Sequence, residues 1–182
     1  MTPDPEPTIQ AAGELAPEPA ERSAESVPPT QTSETLAETA EEIEELDTDA
    51  PRVAILMGSK SDLPAMEKAE TELTDRGISS ETRVMSAHRE PDTVAEYAKN
   101  ARMRGIKVII AGAGLSAALP GVVAAHTDLP VIGVPLTSRT SVAGGLDALL
   151  SISQMPPGVP VGCVGVDNAR NAAVLAARIL SI

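Results

Sequence analysis

The stretch KVIIAGAGLSAALPG, residues 107–121, decides the fold of this chain. It opens with the predicted strand 107–112, which is unbroken and apolar after Lys107, and continues into glycine and alanine before an alanine-rich segment that predicts a helix. A strand with one face in water alternates apolar and polar residues, whereas an unbroken run is typical of a strand covered on both faces. The stretch therefore predicts a buried strand of a parallel sheet, followed by a loop with little side-chain bulk.

The same alternation of strand and helix signals repeats along the rest of the body. Four further segments rich in apolar or β-branched residues predict strands, and four segments with apolar residues at helical spacing predict helices. The predicted strands are 52–57, 82–86, 130–135 and 159–166, and the predicted helices are 63–76, 91–104, 145–153 and 168–180. We therefore expect residues 51–182 to form a single three-layer α/β/α domain with a doubly wound parallel sheet, of the flavodoxin-like type.

Residues 1–50 differ sharply from this body in composition. They hold 14 of the 26 acidic residues and one of the 14 basic residues, which leaves 12 acidic and 13 basic residues for the body. The segment is rich in Pro, Glu, Ser and Thr, so it buries too little apolar surface to offset its ordering entropy. We predict a disordered acidic tail, either a solvated extension or a docking arm. The nearly neutral body argues against binding to nucleic acid.

Several classes of partner and cofactor lack a signal in the sequence. No apolar run reaches the length of a membrane span, and the lone Cys163 can form no disulfide within the chain, so we predict a cytoplasmic protein. The chain has neither a Walker A motif nor a dinucleotide glycine pattern. His88 and His126 lack the spacing of metal ligands, so we predict neither a metal nor a cofactor.

Ligands of doubly wound sheets bind beyond the carboxyl ends of the strands, which singles out the loops 58–62, 86–90, 111–117 and 135–141. In the first loop, GSKSD, Gly58 and Ser59 lie between a strand and a helix amino terminus. Free backbone N–H groups there favour an anion such as a phosphate. Asp62 either caps the following helix or accepts hydrogen bonds from sugar hydroxyls.

The second loop, SAHRE, carries ionisable side chains. Arg89 suits bidentate recognition of a phosphate or a carboxylate, with Ser86 close to it in sequence. His88 can take up and release a proton near neutral pH, although histidines also cap helices and pack. The loop therefore predicts either a proton carrier or an ordinary turn from strand to helix.

The third loop is poor in side chains. At Gly112, Ala113 and Gly114 the backbone can approach a flat ring closely, or the loop can serve only as a tight crossover. His126 follows the next alanine-rich segment, and we interpret it as a surface histidine at a helix carboxyl terminus.

The motifs MGSKSD, SAHREPD, VIIAGAG, PVIGVP and QMPPGVPVG occur together in the order and spacing of one family. From about residue 52 to residue 182 the chain resembles the bacterial N5-carboxyaminoimidazole ribonucleotide mutases of purine biosynthesis. The resemblance implies a homo-octamer with sites between subunits. It also implies an enzyme of IMP biosynthesis that moves a carboxyl group from the exocyclic nitrogen of a ribonucleotide to a ring carbon, without metal, ATP or biotin.

The resemblance also implies roles for individual residues. His88 would be the catalytic acid and base, removing the proton from the ring carbon after carboxylation. The released CO2 would be held in a small dry pocket beside the glycine-rich crossover. The implied substrate-binding residues come from all three loops: Gly58, Ser59, Asp62, Ser86, Arg89, Gly112, Ala113 and Gly114.

The chain departs from the family pattern in two loops. Leu115 and Ser116 replace small residues, and Ala118 stands where the family has a histidine. The segment 135–145 is about two residues longer than usual. The first departure affects the detail of the site, and the second affects how the loop closes.

Three alternative functions remain open at this point. The protein could carboxylate aminoimidazole ribonucleotide directly with CO2 on the same fold. It could be the related carboxylase-like domain used in making a nickel-pincer cofactor, which the missing histidine favours. It could also be a catalytically inactive nucleotide-binding module whose acidic tail recruits partners.

Overall fold

The computed structural model describes residues 50–182. The predicted disorder of the acidic tail therefore concerns residues that, except for Ala50, lie outside the described part.

The described chain folds around one five-stranded parallel sheet. Its strands are β1 (Val53–Met57), β2 (Ser80–Val84), β3 (Val108–Gly114), β4 (Val131–Leu136) and β5 (Gly162–Cys163). They lie in the order β2-β1-β3-β4-β5, and every neighbouring pair is parallel. This order reverses direction beside β1, as expected for the predicted doubly wound fold.

Five α-helices cover the two faces of the sheet. They are α1 (Leu63–Asp75), α2 (Pro91–Asn100), α3 (Leu119–Ala124), α4 (Leu146–Ser153) and α5 (Ala169–Leu180). Helices α1 and α5 pack on the face that carries Val53, Ile55 and Met57, and α2, α3 and α4 pack on the opposite face. Three short 3₁₀ turns complete the described elements: Lys60–Asp62, Arg102–Arg104 and Val142–Gly144. The three-layer prediction is confirmed.

Small residues let the helices lie close to the sheet in a core without Phe or Trp. Gly133 in β4 shows this most clearly, because a Cβ there would run into the Cγ2 methyl of Ile152 on α4. The same Cβ would lie 3.0 Å from Cγ1 of Val161. Close packing of this kind replaces the area that large aromatic side chains would otherwise bury.

The single aromatic residue, Tyr97, lies on α2 beside the edge of the sheet. Its hydroxyl donates to Oε1 of Glu81 at 2.7 Å, and the Arg104 guanidinium lies 5.2 Å from the ring centroid. Burial and the Glu81 carboxylate raise the pKa of Tyr97 well above its ordinary value. The ring is therefore fixed as a neutral hydrogen-bond donor in the structure.

Two predicted strands differ from the observed ones. The second strand is Ser80–Val84 rather than 82–86, because it is an edge strand in which Arg83 and Val84 are exposed and the signal is not continuously apolar. The fifth is Gly162–Cys163 rather than 159–166. Pro160 has no N–H to donate to a ladder, and Asp167, with φ at +55°, turns the chain toward α5.

One predicted helix also ends early. The segment predicted as 91–104 is helical only over Pro91–Asn100, and a 3₁₀ turn, Arg102–Arg104, completes it. Gly105 ends that turn with φ at +87°, a conformation that favours glycine.

Candidate active site

Loops from the carboxyl ends of four strands enclose a cleft of about 230 Å³. The loops after β1 and β2 contribute Ser59, Asp62 and His88, and the carboxyl end of β3 contributes Ala113 and Gly114. The position agrees with the general rule for ligand sites in doubly wound sheets. Most of the residues predicted from the sequence to form a site therefore lie around one opening.

The loop after β1 presents hydroxyl and carboxylate groups. The Ser59 Oγ accepts hydrogen bonds from the Ser61 N–H at 3.2 Å and from the Ser61 hydroxyl at 2.9 Å. Asp62 occupies the N-cap position of α1, yet its side chain makes no capping hydrogen bond. Its carboxylate therefore remains available to the cleft, which favours the ligand-binding interpretation over simple capping.

The Asp62 carboxyl is only partly hydrated at this position. Burial raises its pKa above the ordinary value, while hydrogen bonds from the Ser59 backbone and the Ser61 side chain oppose the shift. The ionised form is therefore less stable here than in water. A bound group that donates hydrogen bonds to it, such as a sugar hydroxyl, would relieve this cost.

The turn after β2 holds His88 at the wall of the cleft. Ser86 is buried, its Oγ accepts from the Arg89 N–H at 3.4 Å, and its carbonyl oxygen accepts from the Glu90 N–H at 2.9 Å. These two bonds fix the backbone on both sides of His88. The His88 side chain is exposed and makes no hydrogen bond to any residue of the range 50–182. A rigid turn thus presents a ring whose two nitrogens can meet a ligand.

Two predicted site residues lie beside the cleft rather than in its walls. The Arg89 Nη2 donates to the Gly58 carbonyl oxygen at 2.8 Å and so ties the turn after β2 to the loop after β1, of which Gly58 does line the cleft. Gly112 lies within β3 under α1, where a Cβ would run into Sδ of Met66 and lie 3.1 Å from Cδ1 of Leu136. Its lack of a side chain serves packing beneath the site.

The loop after β3 carries the departures from the family pattern into the cleft. Leu115 has φ at +55°, is 44% exposed and lines the opening. Ala118 also lines it, at the position where a histidine was expected. His126 is not a cleft residue, because it follows α3, where its Nδ1 lies 2.8 Å from the Val122 carbonyl oxygen. His88 is therefore the only histidine that the structure brings to this cleft.

The sequence predicted that the loop after β4 borders the site, but it singled out no residue of that loop. Thr137 and Ser138 both line the cleft. Thr137 is held by Asp167, which accepts from the Thr137 N–H at 2.8 Å and from its hydroxyl at 2.6 Å. The hydroxyl-rich sequence TSRTS, residues 137–141, is the only local signal that points to these residues.

Residues 50–182 show neither a cluster of metal-binding side chains nor a helix suited to a membrane. This part of the chain contains no group of three or more His, Cys, Asp and Glu side chains that could hold a metal ion. None of its helices has both the length and the apolar character needed to cross a bilayer.

Comparison with known proteins gives consistent matches over the body. Residues 52–182 match the family model described as AIR carboxylase. The N5-carboxyaminoimidazole ribonucleotide mutase of Thermotoga maritima is 60% identical over 132 residues, which cover 72% of this chain and 76% of the relative. The mutase of Pyrococcus abyssi is 58% identical over 132 residues, 72% of this chain and 75% of the relative.

A solved structure agrees in fold. The crystal structure of Treponema denticola PurE matches with a TM-score of 0.63 and 37% sequence identity, covering 71% of this chain and 79% of the other. Family model, sequence relatives and fold thus coincide on the part of the chain that builds the cleft, and the chain belongs to the AIR carboxylase family.

Proposed function

We propose that this protein is a mutase of purine biosynthesis that converts N5-carboxyaminoimidazole ribonucleotide to 4-carboxy-5-aminoimidazole ribonucleotide. The observation that carries the proposal is the 60% identity to a curated mutase over 132 residues. The cleft supports it, because His88 and the 58–62 loop, which the resemblance assigns to proton transfer and substrate binding, meet there.

In the proposed mechanism, the N–C bond of the exocyclic carbamate breaks and releases CO2, and the electron pair stays on the substrate nitrogen. The neighbouring ring carbon then attacks CO2 and forms the new C–C bond. His88 takes the proton from that carbon, which restores the aromatic ring, and a proton returned to the exocyclic nitrogen completes the balance. The isomerisation thus requires one group that both accepts and donates a proton.

The remaining residues act by positioning and by excluding water. Ser59 and Asp62 offer hydrogen-bonding groups for the ribose phosphate portion, with the Arg89 guanidinium at the rim. The backbone at Ala113 and Gly114 lies beside the place where CO2 would be held. Retaining CO2 next to the ring carbon replaces a bimolecular encounter by an internal one, which accounts for much of the expected acceleration.

An isotope experiment tests this function. The substrate is labelled with ¹³C at its carboxyl group and is converted in unlabelled bicarbonate, with carbonic anhydrase present. Mass spectrometry then measures the fraction of the product that carries ¹³C. A mutase retains most of the label. A protein that turns over neither this substrate nor aminoimidazole ribonucleotide would contradict the proposal.

Direct carboxylation of aminoimidazole ribonucleotide is the second candidate. It is favoured by the description of the matching family model as AIR carboxylase. It predicts loss of the ¹³C label and turnover of aminoimidazole ribonucleotide that rises with bicarbonate. The same experiment therefore separates the two activities.

We propose further that the protein assembles as a homo-octamer. The cleft is smaller than the roughly 300–1,000 Å³ of typical ligand pockets, so a neighbouring subunit would supply further walls. An exposed apolar surface that association would cover lies on or beside α4, formed by Val142, Leu146 and Leu150, which are 64, 44 and 46% exposed.

Light scattering tests the octamer and should give eight chains per particle. The double variant Leu146→Asp with Leu150→Asp should lower that number. Met103→Asp, at a side chain 80% exposed on the 3₁₀ turn after α2, is the matched control and should leave it unchanged.

A cytoplasmic location is also proposed. The lone Cys163 supports it, since no disulfide can form within the chain and burial raises the pKa of its thiol, which makes it less reactive. Cell fractionation that recovers the protein in an extracytoplasmic compartment would contradict this.

A further inference from the structure

We propose that Asp167 is a positioning residue of the cleft, which holds Thr137 and Ser138 in the wall remote from His88. The inference rests on the proposed function, because it assigns this wall to binding of the ribonucleotide. Asp167 itself does not line the cleft and acts through Thr137.

Three hydrogen bonds attach the Asp167 turn to the end of β4. The Asp167 N–H donates to the Pro135 carbonyl oxygen at 2.8 Å. Its Oδ1 accepts from the Thr137 N–H at 2.8 Å, and its Oδ2 accepts from the Thr137 hydroxyl at 2.6 Å. Both carboxylate oxygens are therefore used by one cleft residue, and charged acceptors make such bonds stronger than neutral ones.

The end of β4 is paired with β3 through Pro135 and Leu136, but on its other side β5 does not extend far enough to pair with it. β5 pairs with β4 only at Gly162 and Cys163, and one further bond runs from the Val164 N–H to the Gly133 carbonyl oxygen at 3.1 Å. The last residues of β4 lie beyond that ladder. There the hydrogen bonds of Asp167 take the place of the missing strand pairing. Asp167 itself has φ at +55°, a backbone conformation that few residues other than glycine adopt. An uncommon backbone conformation that is held by three hydrogen bonds beside a cleft is typical of a residue with a functional role.

The far end of the same loop returns to the same turn. Gly145 is buried, and a Cβ there would lie 2.9 Å from Cγ1 of Val166 and 3.1 Å from Cγ2 of Thr137. Within the loop, the Ser141 Oγ accepts from the Ser138 N–H at 2.8 Å. The turn at 166–167 is therefore bonded to Thr137 at one end of the segment 137–145 and packs against Gly145 at the other, and Ser138 lies between these two contacts.

The position of this wall predicts which kinetic constant it controls. His88 follows β2 and Ser138 follows β4, so two strands separate them, about 14 Å at ordinary strand spacing. A contact so far from the proposed proton carrier binds the ground state and the transition state alike. Its loss should therefore raise KM and leave kcat unchanged.

Steady-state kinetics of the full-length protein on N5-carboxyaminoimidazole ribonucleotide test the inference. For Asp167→Gly, which removes the carboxylate and relieves the backbone, we expect KM to rise about tenfold with kcat within about twofold. Asp167→Asn should stay within about threefold in KM, because asparagine tolerates positive φ and its amide can accept from the Thr137 N–H and donate to the Thr137 hydroxyl. Asp128→Asn, which removes an exposed carboxylate bonded to Arg102 at the opposite end of the sheet, is the matched control and should not change KM.

Other results of these measurements would contradict the positioning role of Asp167. An unchanged KM for Asp167→Gly, or a fall in kcat at constant KM, would overturn the inference while wild-type turnover upholds the function. If Asp167→Gly fails to fold, Thr137→Val removes only the hydroxyl donor and should still raise KM severalfold. A normal KM for that variant would also reject the role of Asp167. Wild-type protein without activity would instead refute the proposed function.

Discussion

At the scale of single residues, His88 combines a fixed backbone with an exposed ring that bonds to no side chain or backbone group of residues 50–182. Ser86 fixes the turn through its hydroxyl and carbonyl oxygens, and the imidazole lies exposed at the cleft. We predict that His88→Asn lowers kcat by about 10²- to 10⁴-fold, the usual contribution of general acid–base catalysis. Binding of the ribonucleotide, measured by calorimetry, should change little because the substrate-binding groups remain.

The second histidine provides the control for this prediction. His126 follows α3 and contacts the Val122 carbonyl oxygen, away from the cleft. His126→Asn should therefore keep its turnover. A His88→Asn variant that is as active as His126→Asn would remove His88 from the mechanism.

Asp62 gives a prediction about stability and pH. Because burial raises the pKa of its carboxyl in the folded protein, the folded state binds this proton more tightly than the unfolded state, and ionisation disfavours folding as the pH rises. Asp62→Asn should thus raise the Tm at pH 7, by less than about 4 °C for a domain of this size. The gain should vanish below pH 3.8, the ordinary value, where both states are protonated.

Thermal unfolding of Asp62→Asn and wild type between pH 3 and pH 8 measures this effect. Asp128→Asn serves as the control, since the Asp128 carboxylate is an exposed partner of Arg102 and its loss should bring no gain. A fall in Tm for Asp62→Asn at pH 7 would show that its carboxylate stabilises the loop instead.

At the scale of secondary structure, the closeness of α4 to the sheet depends on one missing side chain. We predict that Gly133→Ala destabilises the protein by about 1–3 kcal/mol, because the new methyl group meets the branched Ile152 side chain and one of them must move. Urea unfolding measures the change. Gly165→Ala is matched, since its Cβ would lie 3.9 Å from its nearest neighbours, and equal stability of the two variants would contradict the argument.

The strands that could be predicted well are those whose neighbours bury them on both sides. β1, β3 and β4 are central strands, and their unbroken apolar runs located them to within about two residues. β2 was misplaced by two residues because its edge position leaves Arg83 and Val84 in solvent. β5 was overestimated because an apolar run does not record where a ladder ends, which here depends on the turn at Asp167.

The site could be predicted in part for a similar reason. The loop containing His88 and the loop containing Asp62 each carry a local signal of small, polar and ionisable residues directly after a strand. Thr137 and Ser138 were missed because they are placed by Asp167, 30 residues later than Thr137. Gly112 was assigned to the site by the family resemblance, and its contact with Met66 beneath the cleft could not be predicted from the sequence. Long-range contacts of this kind leave no trace in a local pattern.

At the scale of the whole molecule, the acidic amino-terminal segment joins the domain far from the cleft. The Arg52 N–H donates to the Ser79 carbonyl oxygen at 2.9 Å, and β1 then runs the length of the sheet before the chain reaches Gly58 at the opening. The family match begins at residue 52. We predict that deleting residues 1–48 leaves kcat/KM within about twofold and the fold unchanged, as measured by turnover and circular dichroism.

This prediction has a definite counter-result. Loss of folding in the shortened protein would show that the prediction of a disordered tail is wrong. Normal folding with loss of turnover would instead assign the tail a part in activity.

The absence of large aromatic side chains has a practical consequence for optical experiments. Tyr97 is the sole aromatic residue and its hydroxyl is bonded to a carboxylate, so the protein has no indole fluorescence of its own. One tryptophan introduced at Leu115, on the lip of the opening, would report occupancy against a dark background.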